Sequence, residues 1–170
     1  MAAPYVRPAD RVLDIGCGDG AFIESVRARV SRAVGIDPVA SPSENGNVTI
    51  LRGAVPGDPR LESERFACIT MLATLEHVAD PSAVGRECFR LLEPGGRLVV
   101  TVPHRLVDRI LPALVSVGVA DGMGLDPHLG FDSRTTEPML VHAGFRLTAK
   151  HFFELGLNCL YVFEKPLAPA

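Results

Sequence analysis

Val12-Leu-Asp-Ile-Gly-Cys-Gly-Asp-Gly20 is the stretch on which the reading of this 170-residue chain turns. It begins inside the apolar run Arg11-Val-Leu-Asp-Ile15, which has the length and composition of a buried strand, and it sets Gly16, Gly18 and Gly20 directly after it. Residues without a Cβ let the chain turn tightly and let a ligand approach the backbone. Helical periodicity follows at once: over 21–30, Phe22, Ile23, Val26 and Val30 form one apolar stripe with arginines opposite. Strand, glycine loop and helix, in that order, open a βαβ unit.

The same grammar continues outward. Phe66-Ala-Cys-Ile-Thr-Met71 and Arg97-Leu-Val-Val-Thr-Val102 are short and continuously apolar, as central parallel strands are when helices cover both faces. Ala33-Val-Gly-Ile36 and Val48-Thr-Ile-Leu51 are weaker strand candidates. A helix is predicted from Asp80-Pro81, with the acid as N-cap and proline in the first turn, and Glu93-Pro-Gly-Gly96 stops it. Residues 135–143 read as a helix ended by Gly144. The β-prone runs 145–153 and 158–164, joined by Glu154-Leu-Gly-Leu157, are close enough to pair antiparallel. The expected fold is α/β: a Rossmann-like open sheet of the seven-strand type, mostly parallel with an antiparallel C-terminal strand, helices on both faces, and one domain over 1–170.

Bulk composition narrows the partners. With a net charge of −3 and both signs interspersed, the chain lacks the clustered basic face that a phosphate backbone demands, so nucleic acid is not expected. Cys17, Cys68, Cys88 and Cys159 form no C-x-x-C pair, which argues against a metal site or a disulfide framework and fits a reducing compartment. The start, Met-Ala-Ala-Pro-Tyr-Val-Arg-Pro8, lacks the pattern of a signal peptide, and the apolar region 106–120 is interrupted by Asp108, Arg109 and Pro112. A cytoplasmic location without a membrane span is the expectation.

Two ligand classes suit the glycine loop. Asp37 ends the second strand candidate, where a carboxylate can accept both hydroxyl hydrogens of a ribose. Gly16-Cys-Gly-Asp-Gly-Ala21 also satisfies the G-x-G-x-x-G/A dinucleotide pattern, so a nicotinamide-dependent oxidoreductase is one reading. Asp14 favours the other. A carboxylate two residues before the first glycine would repel a pyrophosphate, and it suits a cationic amino acid headgroup.

The stretch from Val12 resembles motif I of class I S-adenosylmethionine-dependent methyltransferases. The resemblance extends through Phe66-Ala-Cys-Ile-Thr-Met-Leu-Ala-Thr-Leu-Glu-His-Val-Ala-Asp-Pro81 and Leu91-Leu-Glu-Pro-Gly-Gly-Arg-Leu-Val-Val-Thr-Val-Pro103. It ends with His128-Leu-Gly-Phe131 and His142-Ala-Gly-Phe145. It implies that Asp14, Gly16, Cys17 and Gly18 surround the methionine end of S-adenosylmethionine, that Asp37 binds the ribose, and that Pro38 flanks the adenine. Met71 and Leu72 would line the cofactor's other side, with Glu76 and His77 near the mouth of an acceptor pocket. Where such relatives often carry an acid against the adenine amino group, this chain has Gly53 and Ala54, leaving backbone or Asp58 to that task.

The implied reaction is methyl transfer to an O, N or C nucleophile of a small molecule, an in-line displacement in which the protein mainly supplies alignment. If the acceptor is a hydroxyl or an acidic carbon, a general base helps, and His77, His104 and His128 are the candidates by position. Each has a plainer reading as a loop-bonding side chain. Asp126, His128 and Asp132 sit in a glycine-rich turn, and no metal is expected there. The apolar stretch 106–119 suits core, a homodimer face or the wall of an acceptor pocket. A non-catalytic cofactor-binding subunit of a larger assembly is a further alternative.

Overall fold

The computed structural model describes residues 1–103 and 132–167. Its strands and helices are β1 (Arg11–Ile15), α1 (Ala21–Val26), β2 (Arg32–Asp37), β3 (Ser43–Asn45), β4 (Val48–Arg52) and β5 (Phe66–Leu72). They continue with α2 (Pro81–Leu91), β6 (Leu92–Pro103), α3 (Thr136–His142), β7 (Arg146–Phe153) and β8 (Asn158–Glu164). The eight strands form one sheet in the order β3-β4-β2-β1-β5-β6-β8-β7. β4, β2, β1, β5 and β6 run parallel, β8 enters antiparallel beside β6, and β7 closes that side antiparallel to β8. The Rossmann-like, mostly parallel architecture with an antiparallel C-terminal strand is therefore present, enlarged by one short strand. β3 pairs antiparallel with β4 at the opposite edge.

Alternation along each strand divides the apolar side chains between two cores. Leu13, Ile15, Ile69, Met71, Leu98, Val100 and Phe163 face α2 and α3. Val12, Cys68, Val99, Leu160 and Val162 face α1 and the N-terminal segment. Both faces are covered, which is why these strands read as continuous rather than alternating apolar runs.

The helix boundaries follow local chemistry. Asp80 caps α2 by accepting from the Ala83 amide at 2.9 Å, and Pro81 occupies the first turn. At the other end Lys165 donates to the carbonyls of Phe89 (2.7 Å) and Leu92 (2.8 Å), satisfying acceptors that the last turn leaves open. Glu93-Pro-Gly-Gly96 stops the helix as expected but lies within the start of β6, because Gly95 and Gly96 exchange backbone hydrogen bonds with Lys165. The helical run 21–30 is shorter than its periodicity suggested. α1 stops at Val26, and a single 3-10 turn, Arg27–Arg29, follows, with Asn47 donating to the carbonyls of Arg27 and Val30.

A buried ion pair holds the N-terminal segment to the sheet. Arg97 of β6 pairs with Asp10, both side chains less than a tenth exposed, and its Nε donates to the Tyr5 carbonyl at 2.9 Å. Removing one partner leaves an uncompensated buried charge, so Asp10→Ala should lower the unfolding free energy by about 3–5 kcal/mol in urea denaturation. An apolar pair at both positions should recover most of that loss.

Candidate functional site

The glycine loop leaves the carboxyl edge of the sheet between β1 and β2, and hydrogen bonds to β2 fix its shape. Gly16 N donates to the Ile36 carbonyl at 2.8 Å, and Gly18 N donates to Asp37 Oδ2 at 3.1 Å. The other Asp37 oxygen accepts from Val39 N at 2.9 Å. Asp37 thus ties the loop after β1 to the loop after β2 while its carboxylate stands at the edge where ligands bind in such sheets. Gly16 and Gly18 have φ of +76° and +54°, values that L side chains rarely adopt. At Gly16 a Cβ would also overlap the Thr74 side chain, whereas at Gly18 it would meet open space.

A cavity of about 240 Å³ opens beside this loop, lined by Gly16, Ile36, Asp37, Pro38, the 53–55 turn, Ala73, Thr74, His77 and Val78. Asp37, Pro38, Gly53 and Ala54 are brought together there as the sequence suggested. His77 lines the same cavity. It ends the one-turn 3-10 helix Leu75–His77, with His77 N donating to the Thr74 carbonyl at 3.0 Å. Asp58 is turned away: its carboxylate accepts from Arg60 Nε (2.8 Å), Arg60 N (3.0 Å) and the Arg60 terminal nitrogen (2.5 Å). The guanidinium bonds hold that carboxyl below its ordinary pKa.

Met71 and Leu72 separate. Met71 is in the core, where the Cys88 thiol lies 3.9 Å from its sulfur. Leu72 faces the α1 side and lines a second cavity of about 400 Å³ with Met1, Ala2, Thr101, Phe153 and Glu154. The pieces after β5 are held to β6 by Ala73 N, which donates to Thr101 Oγ1 at 2.9 Å. Sequence reasoning missed Thr101, Phe153 and Glu154, because an antiparallel hairpin brings the last two to β5 from far along the chain. His104, His128, Asp126 and the stretch 106–119 lie outside the described residues. No cluster of metal-ligating side chains occurs among those described. No described helix is long and apolar enough to cross a membrane.

Asp14 and Cys17 lie beneath the loop. Asp14 is buried and accepts a 2.5 Å hydrogen bond from Thr70 Oγ1. Burial pushes its pKa up to about 7, the Thr70 bond opposes the rise, and the nearby Asp37 charge adds to it. Burial first, then Asp14 and Asp37, also push the Cys17 thiol up to about 12, which leaves it un-ionised and a packing group. A carboxylate beneath the loop can set its negative charge under a cation placed above it.

Residues 2–150 match the family model described as a methyltransferase domain. Over 117 residues the chain is 35% identical to a ubiquinone biosynthesis O-methyltransferase of Hahella chejuensis, covering 64% of this chain and 49% of that protein. The same enzyme of Serratia proteamaculans is 33% identical over 159 residues, 86% of this chain and 66% of the relative. The chain therefore spans about half to two thirds of the length of these curated relatives. Among solved structures, the N-methyltransferase NodS of Bradyrhizobium japonicum, in complex with S-adenosyl-L-homocysteine, superposes with a TM-score of 0.70 at 17% identity. That match covers 97% of this chain and 82% of the other and shares the fold.

The buried carboxyl has a measurable signature. An acid whose pKa rises on folding stabilises the folded state below its unfolded value, near 3.8, and that contribution is lost as pH climbs toward 7. Asp14→Asn keeps an acceptor for Thr70 and removes the titration. In urea unfolding the variant should match wild type near pH 4 and exceed it by about 2–4 kcal/mol at pH 8.

Proposed function

The chain belongs to the S-adenosylmethionine-dependent methyltransferase family, and on that premise we propose that it transfers a methyl group to an O, N or C nucleophile of a small molecule. S-Adenosylmethionine is the family's cofactor. The observation that carries the reading is the juxtaposition at the sheet edge of a glycine loop, open above Gly18, and the Asp37 carboxylate. The cavity of Pro38, Gly53 and Ala54 adjoins them.

In this reading the cavity takes the purine, with Pro38 and Ile36 against one face of it. Asp37 accepts from the ribose hydroxyls with lone pairs left over from its two backbone bonds. Gly18 lets the ligand lie on the backbone, and Asp14 supplies negative charge beneath the amino acid end. When bound, the cofactor supplies a methyl group on a sulfonium, an already activated donor, so the protein's contribution is alignment. The second cavity, lined by Leu72, Thr101 and Phe153, is the proposed seat of the acceptor, and its mostly apolar wall suits an apolar molecule. Among the described residues on that wall, Glu154 carries the ionisable side chain. The two bacterial relatives are named for O-methylation in ubiquinone biosynthesis, which makes a hydroxyl of a quinone precursor the first acceptor class to test.

Thermal melting with S-adenosylhomocysteine and, separately, with NADH tests the ligand class. At a hundred times its dissociation constant a ligand adds about 2.7 kcal/mol, or roughly 5–10 °C for a chain of this size. S-Adenosylhomocysteine should give that shift, Asp37→Ala should lose most of it, and NADH should give none. A shift with NADH alone would overturn the reading. Turnover is checked by the mass gain of one methyl group across a panel of hydroxyl and amine acceptors.

A further inference from the structure

We propose that Glu154 selects the acceptor by charge: its carboxylate receives a hydrogen-bond-donating end, a hydroxyl or an ammonium, and turns away a molecule that carries a carboxylate there. The proposal rests on the reading of the second cavity as the acceptor's seat, and it adds the polarity of the group that faces the β7–β8 turn.

Glu154 opens the turn between β7 and β8 in a backbone conformation that L side chains rarely adopt. Its φ is +49°, and Leu155 (+57°) and Gly156 (+82°) continue the left-handed run. Gly156 N donates to the Phe153 carbonyl at 3.1 Å and Leu157 N to the Glu154 carbonyl at 3.0 Å, so the turn is closed. Glycine or asparagine suits such a position, and a glutamate there is held against that preference. Backbone strain of this kind clusters at ligand sites. The side chain is held as well: its carboxylate accepts from Asn158 Nδ2. Asn158 is paired with Pro103 of β6 and Phe153 of β7, so the group that fixes the carboxylate belongs to the sheet.

That anchor is a neutral amide, which leaves the negative charge in place. Among the described residues no cationic group forms an ion pair with Glu154. Lys150 of β7 is engaged elsewhere, 3.1 Å from Glu137 and 4.8 Å from the centre of the Tyr161 ring. His151 Nε2 lies 2.7 Å from the Tyr5 hydroxyl. Leu72, Phe153, Met1 and Ala2 give the cavity apolar surface, and Thr101 adds a neutral hydroxyl whose oxygen accepts from Ala73 N. A small molecule that lays an apolar body against Leu72 and Phe153 therefore meets a fixed negative group at the turn. A donor on its end fills lone pairs that Asn158 leaves open, whereas a carboxylate meets like charge.

The test is a binding titration followed by the amide NMR shifts of Leu72, Thr101 and Phe153, with S-adenosylhomocysteine present. Three probes share a phenyl ring on a two-carbon arm and differ at its end: phenethylamine, 2-phenylethanol and 3-phenylpropionate. Wild type should bind the amine about tenfold more tightly than the carboxylate, with the alcohol between them. Glu154→Gln keeps an acceptor for Asn158 and removes the charge, and it should narrow the ratio of amine to carboxylate to less than about threefold. Glu154→Gly, which suits the left-handed backbone, should lose the same preference while melting no lower than wild type. A wild type that favours the carboxylate, or a preference that survives in both variants, would overturn the inference and leave the cavity as the acceptor's seat. Probes that move none of the three amides would overturn the seat itself, and this inference with it.

Discussion

Five residues separate the end of β1 at Ile15 from the start of α1 at Ala21, and in that span the chain must leave a buried strand, clear the end of β2 and enter a helix. The solution is a loop held by β2 itself. Gly16 N bonds to the Ile36 carbonyl, and Gly18 N bonds to the Asp37 carboxylate. Both glycines sit at positive φ, and the first lies directly under Thr74. Because β1 is paired with β2 over its whole length, from Arg11 and Arg32 to Ile15 and Ile36, this geometry is fixed by the sheet and not by the loop. The groove at the sheet edge is the space that arrangement leaves.

What surrounds the groove follows from the same register. Alternation sends Leu13 and Ile15 to one core and turns Asp14 to the other face, beneath the loop and against Thr70 of β5. The neighbouring strand then delivers two consecutive residues to different fates, Met71 to the core and Leu72 to the α1 side. One side of the edge becomes a slot between β2, β4 and the turn after β5. The other becomes a wider, mostly apolar hollow closed by the β7–β8 hairpin.

The sequence made β1, β5 and β6 readable because they are buried on both faces, and nothing but continuous apolar side chains survives there. β3 was invisible for the opposite reason: Ser43, Glu44 and Asn45 are all exposed, and only pairing with the β4 edge makes them a strand. The run 21–30 has an unbroken stripe, yet the side-chain amide of Asn47, far along the chain, ties off its last turn. At the site, the placing of the glycines and of Asp14 and Asp37 at strand ends was legible because it is local to the loop. Asp58 and His77 were not. Whether Asp58 faces the cavity depends on Arg60, and the direction of His77 depends on one turn of 3-10 helix that no apolar pattern marks.

A crystal structure of the chain grown with S-adenosylhomocysteine tests the central claim most directly. The account expects the ribose hydroxyls on Asp37, the purine between Pro38 and the 53–55 turn, and the amino acid end over Gly18 above Asp14. Density for the ligand elsewhere, or its purine outside the cavity beside Pro38, would contradict it.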